Sequence, residues 1–141
     1  MTGAHKRLER LRRLEKVRAI ARQSAALEAA QAESTLKQLH ALSDRTRSLA
    51  ESYGARRGAR DGAALGQLGR FVTGLQAIAQ STAGDACRAR SIADAKQQQL
   101  AEAERRRAAS QERAELQERM IAKAAQPLVL GARRASGTDL E

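Results

Sequence analysis

The residue types that most often carry chemistry are sparse in this chain. There are two histidines, His5 and His40, one cysteine, Cys87, and carboxylates scattered among arginines. His5 and His40 stand far apart, with no cysteine or carboxylate cluster around either, so neither metal ligation nor general-base work is expected. No Ser-His-Asp arrangement and no paired carboxylates stand out. The expectation is a protein that is not an enzyme and holds no cofactor or metal. A single cysteine cannot close an internal disulfide and suits a reducing compartment. Cys87 follows Ala86 on an apolar seam and reads as a small buried hydrophobe rather than a reactive thiol.

Charge is what the chain has in abundance. It carries 26 Lys and Arg against 16 Asp and Glu, a formal charge of +10. That excess suits an acidic protein surface, nucleic acid or anionic lipid, and does not choose among them. It is densest in "HKRLERLRRLEKVRAIAR", His5 to Arg22, where eight Lys and Arg face two Glu. Inside this segment Leu8, Leu11, Leu14, Val17 and Ile20 step by three. At about 100° per residue, each such step turns the apolar direction back by about 60°, so the set winds around roughly 240° of a helix. One partner helix cannot cover so wide an arc. Three readings stay open for the segment. It contacts nucleic-acid phosphates, or is a solvated basic face, or is a helix end inserted into a ring or socket of another protein. In the last case the apolar turns are buried and the arginines meet acidic residues of the lumen.

The stretch "YGARRGARDGAALGQLG", Tyr53 to Gly69, spaces Gly54, Gly58, Gly62 and Gly66 four apart. Arg56, Arg57, Arg60 and Asp61 exclude a lipid-buried helix face. A phosphate loop would need Gly-Lys-Ser/Thr and a preceding strand. An RNA-binding arm would need interleaved aromatics for stacking, and only Tyr53 is near. Each interior Gly costs about 1 kcal/mol relative to Ala in a helix. The turn between two helices is therefore expected near Gly54 to Gly62, with room for some of these glycines in the first turns of the second helix.

Composition agrees with long helices. Ala, Arg, Glu, Gln and Leu dominate, there is no Trp, and Tyr53 and Phe71 are the only aromatic rings besides the histidines. A core of Ala with scattered Leu buries too little area for a thick globule. A first helix is expected over about 4–52, a turn over about 53–63 and a second helix over about 64–125. The second helix shows a four-three spacing: Leu68, Val72, Leu75, Ala79, Thr82, Ala86, Ala89, Ala93, Lys96, Leu100, Ala103. It continues through Arg107, Ser110, Ala114 and Gln117 to Ile121. Gln126-Pro127 is expected to end it and leave 126–141 as a flexible tail. "EAERRRAASQERAELQERM", Glu102 to Met120, mixes five Glu with five Arg and would lie beside the basic segment, at about 1 kcal/mol or less for each exposed pair. The expected fold is all-α, a long antiparallel two-helix coiled-coil hairpin with a Gly-rich turn and a short flexible C-terminal tail. A single unbroken helix in a parallel dimer is the competing arrangement. The N-terminus has no apolar region of a secretory signal, and no run approaches the ~18 apolar residues of a membrane span. A soluble, cytoplasmic protein is expected.

With "RLERLRRLEKVR" at the start, Tyr53 near the end of the first helix, "LGRFVTGLQAIAQ" opening the second and "AEAERRRAASQERAELQERMIA" near the finish, the chain resembles the FliJ family. That family is the small coiled-coil protein of the bacterial flagellar type III export apparatus. The resemblance covers nearly the whole length and rests on patterns rather than invariant motifs. It implies a non-enzymatic, stalk-like coiled coil in the cytoplasm, peripheral to the inner membrane at the flagellar base. Its partners would be the hexameric export ATPase, the cytoplasmic domain of the export-gate membrane protein, and export chaperones. The ring-binding residues implied are Leu8, Leu11, Leu14, Val17 and Ile20 with Arg12 and Arg13. The implied gate-contacting faces are Gln38, Leu42 and Leu49, and Phe71, Leu75, Ile78 or Ala79, and Thr82. Arg45 and Leu49 stand where relatives tend to carry aromatics, a departure that bears on the gate more than on the stalk. The equivalent stalk of a virulence secretion system has the same architecture. The readings from other classes are a basic helical nucleic-acid-binding protein and a dimeric scaffold coiled coil.

Overall fold

The computed structural model describes residues 2–55 and 62–136. Among these residues the fold is all-α, a helical hairpin of two helices that pack against each other: α1 (Gly3–Gly54) and α2 (Gly62–Ser136). From Ala4 to Tyr53 the chain has neither Gly nor Pro, so nothing interrupts α1. Thr2 caps its start. The Thr2 carbonyl accepts the backbone N–H groups of His5 at 3.2 Å and Lys6 at 3.4 Å, and the Thr2 hydroxyl lies 2.6 Å from His5 Nδ1.

Two of the expected boundaries move. α2 opens at Gly62, two residues before the expected start, with Gly66 and Gly69 inside its first turns, and none of the three has a positive φ. The centre of the expected turn, with Arg56, Arg57, Gly58, Arg60 and Asp61, lies outside the described residues. At the other end α2 does not stop near residue 125. It runs through Pro127 to Ser136, so the expected tail is helical over most of its length. Proline removes one backbone hydrogen bond and crowds the carbonyl four residues back. Flanked by Ala124, Ala125, Leu128 and Ala132, all strong helix formers, it does not end the helix.

The chain divides into two compact units, one formed by residues up to 25 with those from 100 onward, the other by residues 26–99. In the 26–99 unit α1 turns Ala29, Ala32, Leu36, Leu39, Ser43, Thr46, Ala50 and Tyr53 inward, all buried or half-buried. α2 answers with Leu68, Val72, Leu75, Ala79, Thr82, Ala86, Ala89, Ala93 and Lys96. Leu36 packs with Ala86, Ala89 and Ala93, flanked by Ala32 and Leu39. In the other unit α1 presents Leu8, Leu11, Glu15, Arg18, Arg22 and Ala25, opposite Leu100, Ala103, Ser110, Ala114, Gln117 and Ile121. Both sets repeat every seven residues in alternating steps of three and four, the signature of a coiled-coil seam. The expected seam of α2 is observed, apart from Arg107, which stays exposed because a lone guanidinium is not desolvated there.

The buried polar seam residues are satisfied. Thr46, Thr82 and Ser110 donate to the carbonyls of Leu42, Ile78 and Arg106 at 2.8–2.9 Å, one turn back. Ser43 donates to the Ala79 carbonyl at 3.4 Å, and Gln117 Nε2 to the Ala4 carbonyl at 3.3 Å, both across the helix pair. Among the described residues no buried side-chain polar atom lacks a partner. In one unit Arg12 and Arg22 of α1 reach Glu118 and Glu104 of α2, and in the other Glu28, Ser43 and Tyr53 meet Lys96, Ala79 and Phe71, so rising positions on α1 face falling positions on α2 and the pairing is antiparallel within each unit.

Candidate functional site

In the unit that contains the N-terminal segment, the winding of Leu8 to Ile20 becomes a set of distinct positions. The seam repeats every 3.5 residues, so a step of three falls behind it by about 50° each time. Leu8 and Leu11 therefore sit on the seam, half-buried against α2, and Leu14 lies half-buried beside it. Val17 and Ile20 have rotated away, with 61% and 68% of their surface exposed. Arg12 is held next to the seam by Glu15 at 3.1 Å on its own helix and Glu118 at 2.6 Å on the other. Arg13 is exposed. The five apolar residues of the expected ring-binding set thus separate into three half-buried on or beside the seam and two turned outward.

The sequence reading followed the leucines and missed that Glu15, Arg18 and Arg22 occupy seam positions. The cue was available in the seven-residue spacing Leu8, Glu15, Arg22, Ala29, Leu36, Ser43, Ala50, which runs unbroken along α1. Arg22 reaches Glu104 on α2 at 3.6 Å.

In the 26–99 unit a second feature stands out. Leu42 and Leu49 immediately precede the seam residues Ser43 and Ala50. Phe71, Ile78 and Ile92 immediately precede Val72, Ala79 and Ala93. In an antiparallel pair these positions from both helices fall on the same flank, facing one another across the seam. All five side chains are exposed. A stripe of large apolar residues thus lies on one flank, and nothing among the described residues covers it. Isolated exposed leucines need no explanation, but a collinear set points to a partner surface.

Of the expected gate-contacting residues, Leu42, Leu49, Phe71 and Ile78 belong to this flank. Gln38 is exposed but lies off it, two positions beyond the seam residue Leu36. Leu75 and Thr82 face α1 as seam residues, half-buried and buried. A step of four from Phe71 crosses from the flank onto the seam. Ile92, absent from the sequence-based set, lies on the same flank beyond the exposed Asp85, which pairs with Arg88.

The opposite flank of the same unit is an open groove of about 570 Å³. Arg47, Glu51, Gln76 and Gln80 rim small residues such as Ala50, Ala79 and Ala83. No nucleophile and base pair up among its lining residues, and the Thr73 hydroxyl is spent on the Gly69 carbonyl at 2.9 Å. Cys87 is exposed, not buried as expected, because one residue past Ala86 is a turn of about 100° away from the seam. Lys96 and Glu28 tie the two helices together at 3.0 Å. Among the described residues no group of His, Cys, Asp and Glu could hold a metal ion, and no helix is long and apolar enough to cross a membrane.

No protein-family description matches the chain, and no curated protein or solved structure shows significant similarity to it.

Proposed function

We propose that this chain is the non-enzymatic stalk of a bacterial flagellar type III export apparatus, a coiled coil that links the hexameric export ATPase to the export gate and to export chaperones. The observation that carries this reading is the exposure of Val17 and Ile20 on the basic segment of α1. Large apolar residues set among arginines and turned away from α2 fit a surrounding socket better than bulk water. Burying a Val or Ile side chain is worth about 1.5–3 kcal/mol, so two of them are a substantial incentive for a partner.

The apolar flank of Leu42, Leu49, Phe71, Ile78 and Ile92 supplies a second attachment, assigned here to the gate. A stalk needs no active site. It acts by occupying an off-centre position in a ring, favouring some subunit conformations over others, and carrying that bias to whatever its flank holds. The resemblance in sequence pattern to the FliJ family supplies the identity of the partners.

The test is capture of the chain by the purified export ATPase at moderate salt, with and without Val17→Asp and Ile20→Asp. Loss of capture and of ATPase stimulation, with helicity unchanged, supports the stalk reading. Undiminished stimulation in both variants removes it. Leu42→Ser with Ile78→Ser is expected to weaken binding to the gate's cytoplasmic domain while leaving ATPase capture intact.

A further inference from the structure

The outward face of α1 in the N-terminal unit carries charge that its own partner helix leaves unneutralised. Between His5 and Arg22 there are eight Lys and Arg and two Glu, while Glu102 to Met120 on α2 holds five of each sign. The carboxylates of α2 are reached by cations next to or on the seam: Arg12 takes Glu118 and Arg22 takes Glu104. Glu15, one of the two α1 carboxylates, is turned inward with a side chain only 23% exposed. That leaves Lys6, Arg10, Arg13 and Lys16 on the side away from α2, all exposed. Among the described residues none of them has a carboxylate within ion-pair distance, and Glu9 is the only acid on that side.

The two exposed apolar residues lie in the same rows. Ile20 follows Arg13 and Lys6 at seven-residue steps, and Val17 follows Arg10 in the same way. Cations and large apolar side chains therefore share one continuous helix face.

We infer that this face binds the surface of an anionic phospholipid membrane, with α1 lying along the headgroup plane. The lipid interface answers both halves of the pattern. Phosphate headgroups take Lys6, Arg10, Arg13 and Lys16, and the acyl boundary takes Val17 and Ile20. Nucleic acid would answer the first half alone, because a phosphodiester backbone offers nothing to Val17 and Ile20. Single-stranded binding relies on aromatic stacking, and the face has no aromatic side chain. With only two apolar residues to insert, attachment is reversible and mainly electrostatic. The inference does not rest on the stalk reading, although both use this face. The chain would rest on the membrane when no ring encloses it.

The test is flotation of the full chain with vesicles of phosphatidylcholine alone and of phosphatidylcholine doped with phosphatidylglycerol, across a salt series and without ATPase. Capture is expected on the anionic vesicles only, weakening as salt rises. Each Lys or Arg near an anionic surface contributes about fivefold in affinity, so Arg10→Ala with Arg13→Ala should lower binding by roughly twenty-five-fold. Val17→Ser with Ile20→Ser should remove the part of the binding that resists salt. All four positions are exposed or rimmed by solvent, and circular dichroism should show unchanged helicity. Equal capture on neutral vesicles, or full capture by the arginine variant, overturns the proposal. So does displacement from anionic vesicles by an equal phosphate concentration of short duplex, which reassigns the face to nucleic acid. None of these results touches the ATPase assay, so the two readings fail separately.

Discussion

Tyr53 and Phe71, the one tyrosine and the one phenylalanine of the chain, meet edge to face with ring centroids 5.0 Å apart and planes at 85°. This geometry places the positive edge of one ring on the negative face of the other and is worth about 0.5–1.5 kcal/mol beyond the area it buries. The pair joins the last turn of α1 to the third turn of α2. Next to it, a Cβ added at Gly54 would come 3.8 Å from Val72 Cγ1, so the two backbones run close here. Phe71 is half exposed even so, and its other side belongs to the apolar flank.

Phe71→Leu and Tyr53→Leu should each lower unfolding free energy by about 1 kcal/mol in urea, and the double variant by less than the sum. Strict additivity would mean the rings contribute only as separate apolar bodies. The chain has no Trp, so Tyr53 dominates its intrinsic emission. A partner that seats on Phe71 should change that emission, and the Tyr53→Leu background supplies the blank.

Gly66, Gly69 and Gly74 stand in α2 where an added Cβ would meet nothing within 4 Å. None has a positive φ, so an Ala side chain fits each without strain. Gly66→Ala with Gly69→Ala should stabilise the chain by up to about 1 kcal/mol per site, read as a higher thermal midpoint and more helical ellipticity. Unchanged ellipticity would show that this opening segment of α2 is not helical in solution.

Arg18 and Arg22 hold seam positions that apolar residues fill elsewhere. The Arg22–Glu104 pair is 3.6 Å long with both side chains about half exposed, so it returns little for a charge placed between helices. Arg18→Leu with Arg22→Leu should therefore strengthen pairing in that unit, by about 1 kcal/mol or more. The reading is slower amide hydrogen exchange in residues 4–25 and 100–120. Faster exchange would show that the arginines are net stabilisers there.

The seam of α2 was legible because its four-three spacing holds from Leu68 to Ala103 with small or apolar residues at every position but Lys96. The seam of α1 was harder to read, because size and burial are inverted over its last turns. Ser43, Thr46 and Ala50 are inside, while Leu42 and Leu49 are outside. Small side chains let two helices approach closely, and hydroxyls bonded to the preceding turn bring little desolvation penalty with them. A search for leucines therefore mixes the interface, with Leu36 and Leu39, and a flank, with Leu42 and Leu49. The expected gate-contacting set divides in the same way: Leu42, Leu49, Phe71 and Ile78 are exposed on the flank, while Leu75 and Thr82 lie on the seam. Pro127 misled for another reason, since breaker rules describe average cost and not whether flanking helix formers outweigh it.

Leu11 and Val17 give the sharpest separation between stability and partner binding. Both belong to the winding apolar set, yet Leu11 is half-buried on the seam and Val17 is 61% exposed. Leu11→Asp places a carboxylate against the apolar side of α2 and should destabilise by about 2 kcal/mol or more. Val17→Asp adds a charge that water already solvates, and its effect on unfolding should stay within about 0.5 kcal/mol. If a ring takes the outward face, Val17→Asp abolishes ATPase capture at undiminished stability, and Leu11→Asp loses both together. If capture tracks the melting temperature in both variants, the ring recognises no outward residue and what it needs is only a paired helix end. Measuring melting and capture on the same two proteins separates these cases.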